Sequence, residues 1–130
     1  MNINYATDTM ALILRLERRK LNPLIKSIFK KAEDSVLSLC IPAMVMAEIG
    51  YLSEKKRIET SLEEVFKYIK KHKMISVEPI TGQVIEKTFI IEDIPELHDR
   101  IIAATAIVKK AILITNDPVI SVSEYLEVVW

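Results

Sequence analysis

Four acids in this chain fall where carboxylates could work together: Asp8, Glu48, Asp99 and Asp117. Each also has an ordinary structural use. Asp8 can cap a helix beginning near Met10, Asp117 before Pro118 has the form of an N-cap, and Asp99 in a first helical turn favours the helix dipole. Glu48 is harder to explain that way. Its helical neighbours Met44, Val45 and Leu52, with Ile49 adjacent, place its carboxylate on or beside an apolar stripe. A carboxylate taken out of water needs a cation, a proton or a good partner, and the alternatives are a shared metal or a salt bridge to Lys or Arg. Carboxylates without a Cys or His cluster are hard oxygen donors, which select Mg2+ or Mn2+ over Zn2+.

The elements that must position these acids alternate. A strand over Ile3–Thr7 ends at Asp8, and Met10–Arg18 has helical apolar spacing. Asn22-Pro23 opens a second helix toward Ala32. Val36–Ile41 reads as a buried strand, and Pro42 opens a helix to about Glu54. Ser61-x-x-Glu64 is a capping box for a helix to about His72. Met74–Val77 is a strand, Thr81-Gly82 leads into a helix through Phe89, and Leu97–Lys110 is the next helix. Ala111–Thr115 is a strand, a helical turn follows Asp117-Pro118, and Leu126–Trp130 closes as a strand. Strands separated by helices imply right-handed crossovers and a parallel sheet covered on both faces. Ligands of open α/β sheets bind outside the carboxyl ends of the strands, where Asp8, Glu48 and Asp117 fall.

Composition narrows the function classes. The 130 residues fit a single domain spanning 1–130, and half of them are apolar. The lone Cys40 lies in an apolar run and reads as a small buried hydrophobe, so a disulfide framework is excluded and a reducing cytoplasmic setting is expected. No stretch has the length of a bilayer span, and the N-terminus lacks the basic region of a signal peptide. Eighteen basic residues balance eighteen acidic ones, so bulk charge does not advertise nucleic acid. The charges cluster, however: Arg15, Arg18, Arg19 and Lys20 early, then Lys67, Lys70, Lys71 and Lys73, each readable as a solvated helix face. The two histidines, His72 and His98, lack ligand spacing, and both read as surface residues, His98 near enough to Asp99 to touch a substrate. There is no phosphate-binding glycine loop or nucleophile elbow.

Four segments resemble the motifs of PIN domains, in that family's order. They are Asn4-Tyr5-Ala6-Thr7-Asp8-Thr9, Ile41-Pro42-Ala43-Met44-Val45-Met46-Ala47-Glu48-Ile49, Leu97-His98-Asp99-Arg100-Ile101-Ile102-Ala103-Ala104, and Leu113-Ile114-Thr115-Asn116-Asp117. The resemblance is nearest to VapC-type toxins of toxin–antitoxin modules. It implies a three-layer α/β/α sandwich with a central parallel sheet, and the four acids as catalytic ligands around Mg2+ or Mn2+. Thr9 and Thr115 resemble the family's hydroxyl residues, which orient a carboxylate or a water, and Asn116 adjoins the fourth acid. Asp117, not Asn116, fits the Thr-x-Asp spacing. One departure stands out: the family often has Asn after the Asp-Thr or Asp-Ser pair, where this chain has Met10.

The resemblance further implies an endoribonuclease that leaves a 5′-phosphate and a 3′-hydroxyl, an antitoxin partner encoded beside it, and a homodimer. Single-stranded or looped RNA is the expected substrate, because exposed bases can be read there. The alternative, which Met10 keeps in view, is a PIN-like module that binds RNA or protein without turnover. A phosphoacceptor receiver domain is disfavoured. It expects paired acids beside the first strand, whereas here that strand ends in one acid and the third reads Ser76-Val77-Glu78-Pro79.

Overall fold

The computed structural model describes residues 4–130. Ile3, expected to begin the first strand, lies outside them. Five short strands form one parallel sheet: β1 (Asn4–Thr7), β2 (Ser38–Pro42), β3 (Ile75–Glu78), β4 (Ile112–Ile114) and β5 (Val128–Val129). Their order is β3-β2-β1-β4-β5. The helices are α1 (Thr9–Leu16), α2 (Pro23–Glu33), α3 (Ala43–Glu54), α4 (Leu62–Lys71), α5 (Gly82–Thr88), α6 (Leu97–Val108) and α7 (Pro118–Ser121). Every expected element is present, with ends shifted by at most two residues.

The strand order sets where a site must lie. From β1 the chain steps outward to β2 and β3, then returns across β1 to add β4 and β5 on its other side. Right-handed crossovers taken in opposite directions put their helices on opposite faces, giving three layers. The turning point is the crevice between the carboxyl ends of β1 and β4, the place where open α/β sheets bind ligands. The Asp8 amide donates to the Ile114 carbonyl there, at 3.1 Å.

Burial on both faces explains the sequence of the strands. Leu39, Cys40 and Ile41 are consecutive in β2 and all buried, which alternation of faces forbids unless both faces are covered. Cys40 belongs to this core, and burial pushes its thiol up to about 12, with the Glu78 charge adding to the effect. Its role is packing.

The helix starts follow their capping residues. Asn22 Oδ1 accepts the Ile25 amide at 2.9 Å with Pro23 in the first turn, Ser61 Oγ accepts the Glu64 amide at 3.1 Å, and Thr81 Oγ1 accepts the Val84 amide at 3.2 Å. Away from the sheet's carboxyl edge, α1, α2 and α4 are tied together by one polar cluster. Arg15 Nε and Nη2 donate to the two Glu33 oxygens at 2.9 and 2.6 Å, and Tyr68 Oη donates to Glu33 Oε2 at 2.6 Å. Burial alone would raise the Glu33 carboxyl. The hydrogen bonds from Arg15 and Tyr68 outweigh it and hold the group below its ordinary range.

Candidate active site

The four acids reach the crevice from four different places. Asp8 follows β1, Glu48 lies in the second turn of α3 after β2, Asp99 is in the first turn of α6, and Asp117 precedes α7 beyond β4. Two of them also cap helices, as their alternative reading required. Asp8 Oδ1 accepts the Ala11 amide at 2.8 Å, and Asp117 Oδ1 accepts the Val119 and Ile120 amides at 2.9 and 3.0 Å. Capping and a site role are compatible. In each residue it is Oδ1 that caps, and the cap fixes the rotamer that sets Oδ2. Asp99 at the third helical position has its own amide held by Glu96 Oε2 at 2.7 Å.

Hydroxyl groups brace the acids. Thr9 Oγ1 donates to Glu48 Oε1 at 2.5 Å, linking the start of α1 to α3. The Thr115 side chain acts on the Asp8 carboxylate in the direction that favours its charged form, and Thr115 Oγ1 accepts the Asp117 amide at 3.1 Å. Thr115 thus couples the first acid to the last and is itself fully buried. Asn116 stands exposed beside it. Glu48 is 29% exposed at its side chain, and it faces a histidine, with His98 Nδ1 at 3.8 Å from Oε2. Its partners are therefore Thr9 and His98, where a Lys or Arg salt bridge was one expected alternative. Met10 is 46% exposed on the opening turn of α1, so it is not a core residue displaced into the site.

The acids sense one another. Burial pushes Asp8 above the ordinary carboxylate range. Thr115 and the Ala11 amide oppose the shift, while the charges of Asp117 and Glu48 add to it. Asp99 is pushed up to about 6, first by burial and then by the charges of Glu96, Asp117, Glu48 and Asp8. Two carboxyls raised by the same neighbouring acids mark a place where negative charge is concentrated.

Glu96 is the residue that sequence reasoning missed. It caps α6, sits 3.7 Å from His98 Nδ1, and is the largest charge acting on Asp99. Glutamate is not a preferred N-cap, so propensity gives no warning. The one available signal is its place between Pro95 and the first turn of α6.

The donor set fits a hard divalent cation, because it consists of carboxylate oxygens where negative charge is concentrated. Among the described residues no three acid, His or Cys side chains stand close enough to form a ready-made coordination shell. The oxygens to be gathered belong to separate elements, and the Glu48 carboxylate is turned toward Thr9.

Comparison with known proteins agrees with this architecture. Three solved structures superpose along nearly their whole length. VapBC2 from Rickettsia felis, bound to a DNA fragment from its promoter, is 16% identical, covered over 98% of this chain and 99% of that one, with TM-score 0.75. DNA-bound VapBC from Salmonella typhimurium is 16% identical, covered over 99% and 98%, with TM-score 0.72. A toxin–antitoxin complex from Klebsiella pneumoniae is 18% identical, covered over 97% and 96%, with TM-score 0.67. No curated protein matches the sequence. The family model described as the PIN domain matches residues 5–122, from β1 through α7, and the chain belongs to the PIN-domain family.

Proposed function

We propose that this protein is an endoribonuclease of the VapC toxin type, dependent on Mg2+ or Mn2+, with Asp8, Glu48, Asp99 and Asp117 as its catalytic acids. The observation that carries the reading is that the charges of Glu48 and Asp117 raise both Asp8 and Asp99, which ties acids from four elements to one place at the sheet's turning point. A fold stabilises such a cluster poorly by itself, since the charges repel and one is half protonated near pH 6. Bound there, a divalent cation neutralises phosphate charge and lowers the pKa of a water molecule.

The chain's own residues supply position. Asp8 Oδ1 is held by its cap on the Ala11 amide, which fixes the direction of the carboxylate. Thr9 fixes Glu48 Oε1, and Asp117 is locked by two amides of α7. His98, half exposed at the rim beside Glu48 and Glu96, is placed to meet an entering phosphate or base. An antitoxin partner suits a nuclease that must be restrained, and the solved relatives are toxin–antitoxin complexes. Exposed apolar side chains such as Phe89, Ile90 and Val122 leave surface for self-association as a homodimer.

The test is cleavage of a structured RNA by the isolated protein with Mg2+ or Mn2+. Wild type should cut, EDTA should stop it, and Asp8→Asn or Asp99→Asn should lower the rate at least about a hundredfold while the melting profile stays cooperative. A second reading is a PIN domain that binds without turnover. Met10 in place of the family's frequent Asn favours it, and equal behaviour of wild type and Asp8→Asn would select it.

A further inference from the structure

The first basic cluster of the sequence meets Lys71 of the second, about fifty residues further along the chain, in space. The turn after α1 brings Arg18, Arg19 and Lys20 against Lys26 and Lys30 of α2 and Lys71 at the end of α4, around an open groove of about 860 Å³. Seven cationic side chains line it against two acids, in a chain whose total charges balance. Of the seven, Arg15 is engaged with Glu33, Lys30 lies 3.2 Å from Asp34, and Arg19 Nη1 lies 3.7 Å from Glu17 Oε1.

The presentation of these charges is built into the backbone. Arg18 has φ 53°, and the Arg19 and Arg18 amides donate to the Leu14 and Arg15 carbonyls at 2.9 and 3.2 Å. That closes α1 in a Schellman turn and turns three consecutive basic residues outward. The clamp of Arg15, Glu33 and Tyr68 fixes α1, α2 and α4 beneath them.

We propose that this groove binds the phosphate backbone of a single-stranded RNA, a few nucleotides from the point of cleavage. The inference rests on the ribonuclease reading for the identity of its ligand. The acidic site repels phosphates, so a charge-neutral nuclease must hold its substrate elsewhere. Asp8 caps one end of α1 and the groove opens at the other, and eight residues at ~1.5 Å each separate them by roughly 12 Å. The apolar side chains in the groove, Leu14, Leu16, Leu21 and Tyr68, are only partly exposed, and none of the large apolar side chains that stand exposed among the described residues lines it. A protein helix would want such an anchor, whereas a phosphate backbone asks only for charge.

The test uses the full-length protein in EDTA, with cleavage off, and a fluorescein-labelled unstructured oligoribonucleotide, read by fluorescence anisotropy over a salt series. The triple variant Lys20→Ala, Lys26→Ala, Lys71→Ala should bind at least about tenfold more weakly. Its slope of log affinity against log salt should fall by about 2, since each single-strand phosphate contact contributes ~0.7. The triple Lys→Arg variant should bind like wild type, and so should Lys87→Ala on α5, outside the groove. Unchanged affinity and slope in the triple Ala variant, with a normal circular-dichroism melt, overturns the proposal. So does wild-type protein that captures poly-glutamate but not RNA, which would assign the groove to an acidic protein segment. RNA binding lost in the triple variant, together with no cleavage by wild type under any metal, would leave the groove standing and remove the nuclease reading.

Discussion

At the residue scale, Asp99 shows what the acid cluster costs. Its carboxyl is pushed up to about 6 by burial and by neighbouring acids, against roughly 4 in an unfolded chain. Between those values the native state keeps a proton that the unfolded state has released. Stability must therefore fall as pH rises from about 4 through 6, and the penalty is absent below about 4. Asp99→Asn removes it, so this variant should be more stable than wild type at pH 7 without metal and equal to it at pH 4. The side chain is partly exposed, so solvent screening holds the expected gain to about 1 kcal/mol. Urea midpoints at the two pH values measure the difference, and a gain that is the same at both would rule out a titration origin. Individual acids were legible in the sequence because motif spacing singles them out. Their bracing was not: Thr115 acts on Asp8 and Thr9 on Glu48 across separate elements, which local spacing cannot show. Glu96 escaped for a related reason, because its effect on Asp99 comes from a cap geometry that propensity does not favour.

At the element scale, the scarcity of glycine becomes intelligible. Four helices end in Schellman turns, and their left-handed residues are Arg18, Ser35, Lys56 and Lys110, where glycine is the usual choice. After α6, for example, Lys110 has φ 56°, its amide donates to the Ile107 carbonyl at 3.0 Å, and the Ala111 amide donates to the Ala106 carbonyl at 2.8 Å. A side chain there costs ~1–2 kcal/mol of backbone strain, while glycine adds ~0.4–1 kcal/mol of unfolded-state entropy. Lys110→Gly should therefore stabilise by about 0.5–1 kcal/mol, raising the melting temperature by a few degrees, and a lower temperature would show that the lysine side chain has a compensating contact. These same residues explain which helix ends were hard to read. Starts were marked by Asn22, Ser61 and Thr81, but stops lacked their glycine, so the α1 and α6 patterns were carried two residues too far. The clamp among α1, α2 and α4 gives the complementary prediction. Glu33→Ala leaves Arg15 without its partner and Tyr68 without its acceptor, and should cost about 2–3 kcal/mol by thermal melting. A loss below about 0.5 kcal/mol would mean that water replaces the carboxylate without penalty.

For the whole molecule, negative charge gathers at the carboxyl edge of the sheet and positive charge gathers in the groove among α1, α2 and α4. The order of motifs along the chain foretold the first, since a parallel sheet fixes which strand ends share an edge. It could not foretell the second, which needs α4 to lie beside the turn after α1. The acidic edge carries a consequence for the fold as a unit. Its four carboxylates belong to the β1–α1 junction, α3, α6 and the β4–α7 junction, which are otherwise joined through the core. A cation bound to all of them in the native state, and to none in the unfolded chain, stabilises by about 2.7 kcal/mol at a hundred times its Kd. For a chain of this size that corresponds to a rise of roughly 10 °C in the melting temperature. Mn2+ titrated into metal-free protein at pH 7 should produce that rise. In Asp8→Asn, Asp99→Asn protein the rise should nearly vanish, although the starting temperature should be higher because repulsion has been relieved. Equal rises in both proteins would place the cation elsewhere, and no rise in either would remove the metal from the proposed mechanism.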